Sequence, residues 1–260
     1  MAIRDYQSLI RRLRAVATRP NVEMVQIGEF VSDGQRYEMF NLLVGKPAAG
    51  KRSAVINAGI HGDEPAGVEA AIRFAEQSAA DEALLKRCFF TIFPCNNPTG
   101  WERHTRENVD GIDLNREFNL RRQAPEARII SDALQGNCFD LVFEMHEDVD
   151  SHGFYMYEIA DDPEMYVGER IIEAAAGMGC PINRDECIEG SDASGGLIRP
   201  EIVRFRKTRL PLAIFAWRTC GGHVITLEPP ASKLSMDDRV RIQLMSLTIA
   251  LDACAAAGRR

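Results

Sequence analysis

Apolar positions along the chain fall into short runs divided by helical stripes. Residues Met1 to Pro20 carry Ile3, Leu9, Ile10, Leu13, Val16 and Ala17 at helical spacing, with Arg4, Arg11, Arg12, Arg14 and Arg19 among them. That pattern predicts an amphipathic helix, expected to pack on its own domain rather than on a membrane. It has no continuous apolar h-region, so no secretory signal is read in it. Val22–Gly28 alternates apolar and polar residues, and Arg36–Val44 follows across Ser32-Asp33-Gly34, a hairpin signal at a sheet edge. Ala54–Ala58 is a short buried strand. A helix over 65–79, a second helical stretch around Glu82–Lys86 and a strand Phe89–Phe93 stopped by Pro94 come next. Helices are predicted over Ala124–Leu134, Asp162–Met178 and Met236–Ala257, and strands over Phe139–Met145, Gly153–Ile159, Leu212–Trp217 and His223–Leu227. Ser191–Gly196 reads as a Ser/Gly loop.

Strands alternating with helices predict a three-layer α/β/α fold: a mixed, mostly parallel, twisted sheet of about eight strands with helices on both faces. Ligands of such sheets sit beyond the carboxyl ends of the strands. His61, His146 and Glu228 each fall just past the end of a predicted strand. The 260 residues are expected to form one catalytic domain with a large core. A net charge of −7 disfavours nucleic acid as a partner, because phosphate binding needs a basic surface. No run of about 18 apolar residues is present, so no membrane partner is expected. Seven cysteines without paired spacing read mostly as small buried hydrophobes in a reducing, cytoplasmic setting.

The candidate chemistry starts at Asn57-Ala58-Gly59-Ile60-His61-Gly62-Asp63-Glu64-Pro65. His61 and Glu64 both offer lone pairs, and a spacing of three puts them on one side of a helical turn. A catalytic zinc keeps three protein ligands and an open position, and two histidines with one glutamate form a common set. His146 supplies the third member. Alternatives stand beside this: a helix-start histidine next to a capping carboxylate, and a strand-end histidine held by a neighbouring acid. Asp113 is a candidate partner behind a histidine ligand, fixing its tautomer, or simply a turn residue. Gly62 suits a tight corner and Pro65 an early helical position. Asp63 is expected to cap the helix or to hydrogen-bond. The polar segment Asn96–Arg122, without clear periodicity, is long enough to suggest a functional loop.

Taken together, His61-Gly62-Asp63-Glu64, Asn97-Pro98-x-Gly100, Thr105-Arg106, Asp113-Leu114-Asn115-Arg116-x-Phe118, His146 and Thr226-Leu227-Glu228 resemble the zinc carboxypeptidases of the carboxypeptidase A superfamily, closest in motif to compact bacterial members. The resemblance implies one Zn2+ per chain on His61, Glu64 and His146. It implies Glu228 as the general base, Arg106 as the group that stabilises the oxyanion, and Asn115 with Arg116 as the clamp on a terminal carboxylate. Asp113 falls where the superfamily places a carboxylate behind the first histidine.

Two departures matter. Digestive carboxypeptidases carry a mobile tyrosine upstream of the catalytic glutamate, whereas the last tyrosine here is Tyr166, so that role is vacant. His223 is either a substitute polar contact or a strand-start histidine. Glu144, Glu147, Asp148 and Asp150 form an acidic cluster that would take a second cation or a cationic substrate group, or else is a solvated loop. Arg103 and His104 either line the cleft or lie on the surface. The basic run Arg199, Arg204, Arg206, Lys207 and Arg209 is a solvated face or a lip for acidic substrates.

Three functions compete. The first is cleavage of a peptide or amide bond next to a free carboxylate in a small peptide. The second is deacylation of an N-acyl amino acid, as in the related aspartoacylase and succinylglutamate desuccinylase branch. That branch usually carries Arg-Tyr before its Asp-Leu-Asn-Arg, where this chain has Thr105-Arg106-Glu107-Asn108, which favours the first function. The third, a metal-binding non-enzyme, is disfavoured because all three candidate ligands and Glu228 are present.

Overall fold

The computed structural model describes residues 4–201 and 207–256. The chain opens with helix α1 (Tyr6–Val16), whose Tyr6, Leu9, Ile10, Leu13 and Val16 are buried, so the predicted amphipathic helix packs on the protein itself. Asp5 caps it by accepting from Gln7 N and Ser8 N. The hairpin β1 (Val22–Ser32) and β2 (Gln35–Val44) turns at Asp33-Gly34, both with positive φ, as a two-residue turn requires. Then come β3 (Arg52–Ala58), α2 (Pro65–Ser78), α3 (Glu82–Arg87), β4 (Cys88–Phe93), α4 (Pro98–Arg103), α5 (Pro125–Leu134), β5 (Leu141–Met145), β6 (Tyr155–Ile159) and α6 (Gly168–Gly177). The short strands β7 (Cys187–Ile188), β8 (Ser191–Asp192) and β9 (Leu197–Ile198) precede α7 (Leu212–Cys220), β10 (His223–Glu228) and α8 (Met236–Ala256).

The main sheet runs β1-β2-β4-β3-β5-β10-β6-β9. Its centre, β4-β3-β5-β10, is parallel, β1 and β2 pair antiparallel with their neighbours, and β6 runs antiparallel to β10 and parallel to β9. Strands β3, β5 and β10 are nearly continuous apolar runs, as burial on both faces demands. Helices α1, α2, α6 and α8 cover one face, and α5 and α7 the other. The fold is thus the expected mixed α/β/α arrangement. β1 forms one edge and carries a bulge between Gln26 and Gly28.

Some predicted elements differ. Leu212–Trp217 is the start of helix α7 rather than a strand. The run is apolar throughout because α7 packs on β10 and β5 while its Ala213 and Ile214 face a cavity, so no polar stripe marks its helical period. The helix expected over Asp162–Met178 splits into a 3-10 turn (Pro163–Met165) and α6, because Glu158 accepts from the backbone N–H groups of Val167 and Gly168 and caps a new helix there. The loop around Ser191 pairs with Cys187–Ile188 in a two-stranded ribbon. Asn96–Arg122 contains α4 and a 3-10 turn, Leu114–Arg116. All seven cysteines are free, and five are buried. Among the described residues no helix is long and apolar enough to cross a membrane.

Candidate metal centre

Three adjacent parallel strands deliver the site. His61 follows β3, His146 follows β5, and Glu228 is the last residue of β10. Parallel pairing puts all three carboxyl ends on one edge of the sheet. After β3 the chain turns at Gly59, whose φ of 63° and close approach to Val68 and Cys95 leave no room for a side chain. Helix α2 then starts at Pro65. Its Gly67 lies against the Met145 carbonyl, where any Cβ would collide. That close passage of α2 over the end of β5 sets Glu64 beside His146.

The side chains converge. His61 Nδ1 lies 2.5 Å from Glu64 Oε1, and His146 Nδ1 lies 2.9 Å from Glu64 Oε2. All three residues are buried, and one ligand atom from each falls within 4.8 Å of the others. On the far side of the His61 ring, Nε2 lies 3.3 Å from Asp113 Oδ1, the arrangement that fixes an imidazole with Nδ1 facing inward. Burial opposes charge on His61, yet Glu64 and Asp113 outweigh it and raise the ring to about 9. Burial likewise opposes charge on His146, which Glu64 still raises. Against the pull of burial, the two imidazoles hold Glu64 below the ordinary carboxylate range. Two imidazole nitrogens and a carboxylate oxygen aimed at one point fit a divalent metal of the zinc type.

Arg106 spans the triad's edge. Its Nε and Nη2 donate to Asp113 Oδ2 at 3.3 and 3.2 Å, and its Nη1 lies 3.3 Å from His61 Nδ1 and 3.9 Å from Glu64 Oε1. Asn97, fully buried, explains the Asn-Pro-x-Gly motif. Its Oδ1 accepts from Gly100 N, capping α4, while its Nδ2 donates to the carbonyls of Ile60 and Arg106. One side chain thus ties the His61 turn to the Arg106 segment. Asn108 holds the same loop from inside, accepting from Asp110 N and Ile112 N.

A cavity of about 760 Å³ opens over the triad. Its walls include His61, Glu64, His146, Arg106, Asn115, Arg116 and Glu228, so every predicted site residue except Asp113 lines it, and Asp113 stands behind His61. Asn115 Oδ1 accepts from Leu212 N at 2.7 Å, fixing its amide against the start of α7. Glu228 is partly covered. Burial, together with Glu64 and Asp148, lifts its carboxyl to about 8 against the opposing charges of His146 and Arg106.

Other expectations resolve locally. Glu147 pairs with Arg239 and accepts from Ala66 N, so it caps α2, while Asp63 Oδ1 is buried without a hydrogen-bond partner. Glu144 accepts from Asn57 Nδ2, and Asp148 accepts from Asp150 N, Ser151 N and Tyr155 Oη. Glu144 is thus taken up by a structural partner, while Glu147, Asp148 and Asp150 of the same cluster line the cavity. His223 sits at the start of β10, against Glu158 at 3.0 Å and away from Glu228. Arg103 pairs with Asp33 outside the cavity, and His104 does not line it either. Arg199 binds Glu158 and Glu169, whereas Arg204 and Arg206 lie outside the described residues. The wall also includes Tyr155 and Tyr157 on β6, which no sequence motif singles out. Glu228 pairs with Tyr155 across the antiparallel β10–β6 ladder. Their alternation in Tyr155-Met156-Tyr157 marks one strand face, but only the pairing reveals which face looks into the cavity.

Residues 50–192 match the succinylglutamate desuccinylase/aspartoacylase catalytic domain. The chain belongs to that family. The spelling Thr105-Arg106-Glu107-Asn108 is thus compatible with this branch of the superfamily. Among solved structures, the chain is similar to a protein of Shewanella baltica, at 24% identity over 96% of this chain and 92% of that one, with a TM-score of 0.81. It is similar to a metallo-carboxypeptidase of Burkholderia cenocepacia at 20% identity, over 95% and 68% of the two chains, with a TM-score of 0.70. Carboxypeptidase A of Helicoverpa armigera is similar at 17% identity, over 99% and 75%, with a TM-score of 0.73. At these identities the likeness is one of fold. No curated protein matches the chain in sequence. Family, fold and the buried His-Glu-His triad together make this a member of a hydrolase superfamily with a metal site.

Proposed function

We propose that the protein is a zinc-dependent amide hydrolase that cleaves next to a free carboxylate, with a small peptide as substrate and a single catalytic domain carrying the activity. The observation that carries this reading is one cavity holding Arg106 over the His61–Glu64–His146 triad, Asn115 and Arg116 on its wall, and Glu228 beside them. His61, Glu64 and His146 hold the zinc, with Asp113 orienting His61. A zinc ion held there would supply Lewis acidity. Glu228, on the cavity wall beside the triad, takes a proton from the attacking water and returns it to the leaving nitrogen. The Arg106 guanidinium supports the charge that develops on the carbonyl oxygen. Arg116 and the Asn115 amide grip the substrate carboxylate, a planar cation suiting a planar anion.

Buried Ile159, Ile214 and Val224 line the same cavity, so a substrate with an apolar side chain fits its depth. A second reading, hydrolysis of an N-acyl amino acid, is favoured by the family match. Zinc-loaded protein assayed in parallel on C-terminally blocked and free peptides and on N-acyl amino acids separates them. Release of a C-terminal amino acid, lost on blocking the carboxylate and lost in Glu228→Gln, supports the peptidase. Turnover of N-acyl amino acids alone replaces it with the deacylase.

A further inference from the structure

The segment leading into α1 reaches the metal-donor turn from outside the sheet. Arg4 Nη1 donates to the Gly62 carbonyl at 2.6 Å, and Gly62 stands between the donors His61 and Glu64. The same guanidinium lies 4.4 Å over the Trp101 ring, within cation–π range. On its other side Gly62 is pressed against α4: a Cβ there would collide with the Gly100 carbonyl and Trp101 N. The Gly62 peptide is therefore gripped between one guanidinium and the backbone of α4. The grip is anchored in turn. Tyr6 N donates to Glu102 Oε1 at 3.0 Å, Tyr37 Oη to Glu102 Oε2 at 2.8 Å, and Tyr6 Oη to the Glu38 carbonyl at 3.0 Å. Arg4 thus sits in a frame built from α1, β2 and α4, and it touches neither ligand directly.

We propose that Arg4 is a positioning residue for the metal centre: by clamping the Gly62 peptide against α4 through Trp101, it holds His61 and Glu64 at the spacing a divalent cation needs and so sets metal affinity. The inference rests on reading the triad as a metal centre. Partners that orient metal ligands typically change affinity by about 10–100-fold when removed. The charge of Arg4 alone would repel a cation, so the two effects of removing it have opposite signs. A positioning role predicts weaker binding and a purely electrostatic one predicts tighter binding.

The test uses the full chain and zinc ion, titrated in competition with a chromophoric chelator. The parent should bind one equivalent. Arg4→Ala should raise the zinc Kd about tenfold or more and speed zinc release. Arg4→Lys, which keeps a donor but loses the planar stack, should recover part of the loss. Arg14→Ala, removing an exposed charge at the other end of α1, should match the parent. The gap in melting temperature between zinc-loaded and zinc-free protein should narrow in Arg4→Ala, a change that mere loss of fold stability would not produce. If Arg4→Ala does not fold, Trp101→Leu should give a smaller loss in the same direction. An unchanged or tighter Kd in the folded variant, with the parent binding stoichiometrically, overturns the inference. A parent that binds no zinc refutes the metal centre itself.

Discussion

Two carboxylates on neighbouring strands are treated in opposite ways. Glu158 on β6 is fully buried and surrounded by donors: His223 Nε2 at 3.0 Å, Val167 N at 2.7 Å, Gly168 N and Arg199 Nη2 at 2.9 Å. Burial would raise its carboxyl, but those donors hold it below its ordinary value. Glu228, at the other end of β10, accepts no hydrogen bond among the described residues and is lifted to about 8. Glu158 is saturated and fastens β6, α6 and β10 together. Glu228 is left unsaturated where a proton acceptor is wanted. A carboxylate that holds structure is surrounded by donors; one free to exchange a proton is deprived of them.

Substitutions should pull this pair apart. Glu228→Gln is expected to lower kcat/KM by at least about 1000-fold, with zinc content and melting temperature preserved. Steady-state kinetics on the substrate found by the parallel assay would show it, and a variant within tenfold of the parent would remove Glu228 from the chemistry. Arg106→Ala should lower kcat by about 100–1000-fold, the typical loss of one oxyanion donor, with little change in zinc stoichiometry. Glu158→Ala should do the reverse: kinetics near the parent's at low temperature, but a stability loss of about 3 kcal/mol in denaturant unfolding, because His223 and Arg199 lose their shared acceptor.

The smallest effect is in the pH dependence of metal-free protein. Folded Glu228 keeps its proton up to about pH 8, whereas an unfolded chain releases it near 4.5. In that window the folded state binds the extra proton, so this group makes stability fall as pH rises. Glu158 has the opposite sign. Its folded value lies below 4.5, so its contribution is present above that pH and is lost on acidification. Melting temperatures across pH should show Glu228→Gln flattening the neutral slope and Glu158→Gln flattening the acid limb. Identical profiles for the two variants would contradict the contrast.

Of the candidate site, His61, His146 and Glu228 are legible at strand ends, whereas Arg106, Asn115 and Arg116 rest on the resemblance carried by the loop motifs. The run Ala54–Ala58 ends at Gly59, two residues before His61, and the run Leu141–Met145 ends directly at His146. What no pattern could supply was strand order. That His61, His146 and Glu228 meet follows from β3, β5 and β10 being adjacent and parallel, a long-range fact. The same gap hid Tyr155 and Tyr157, which reach the cavity only because β6 runs antiparallel to β10. It left His223 ambiguous too: five residues along a strand amount to roughly 16 Å, so nearness to Glu228 in sequence meant distance in space. Leu212–Trp217 departs from its predicted strand for a different reason. A helix with a core on one side and a cavity wall on the other shows no amphipathic stripe.

The edge strand β1 has a bearing on how copies of the chain behave at high concentration. Eleven residues long, it ends the sheet, and its outer backbone groups offer a template for another strand. Val31, 70% exposed, sits on that margin. Opposing it are the carboxylates of Glu23 and Glu29 and the bulge at Gly28, where the ribbon twists out of register. Gly28 cannot easily be filled, since a Cβ there would press on Ile129 of α5. The kink is thus built in by a packing contact beneath it, and the same small residue that lets α5 settle on the sheet also discourages one sheet from extending into the next.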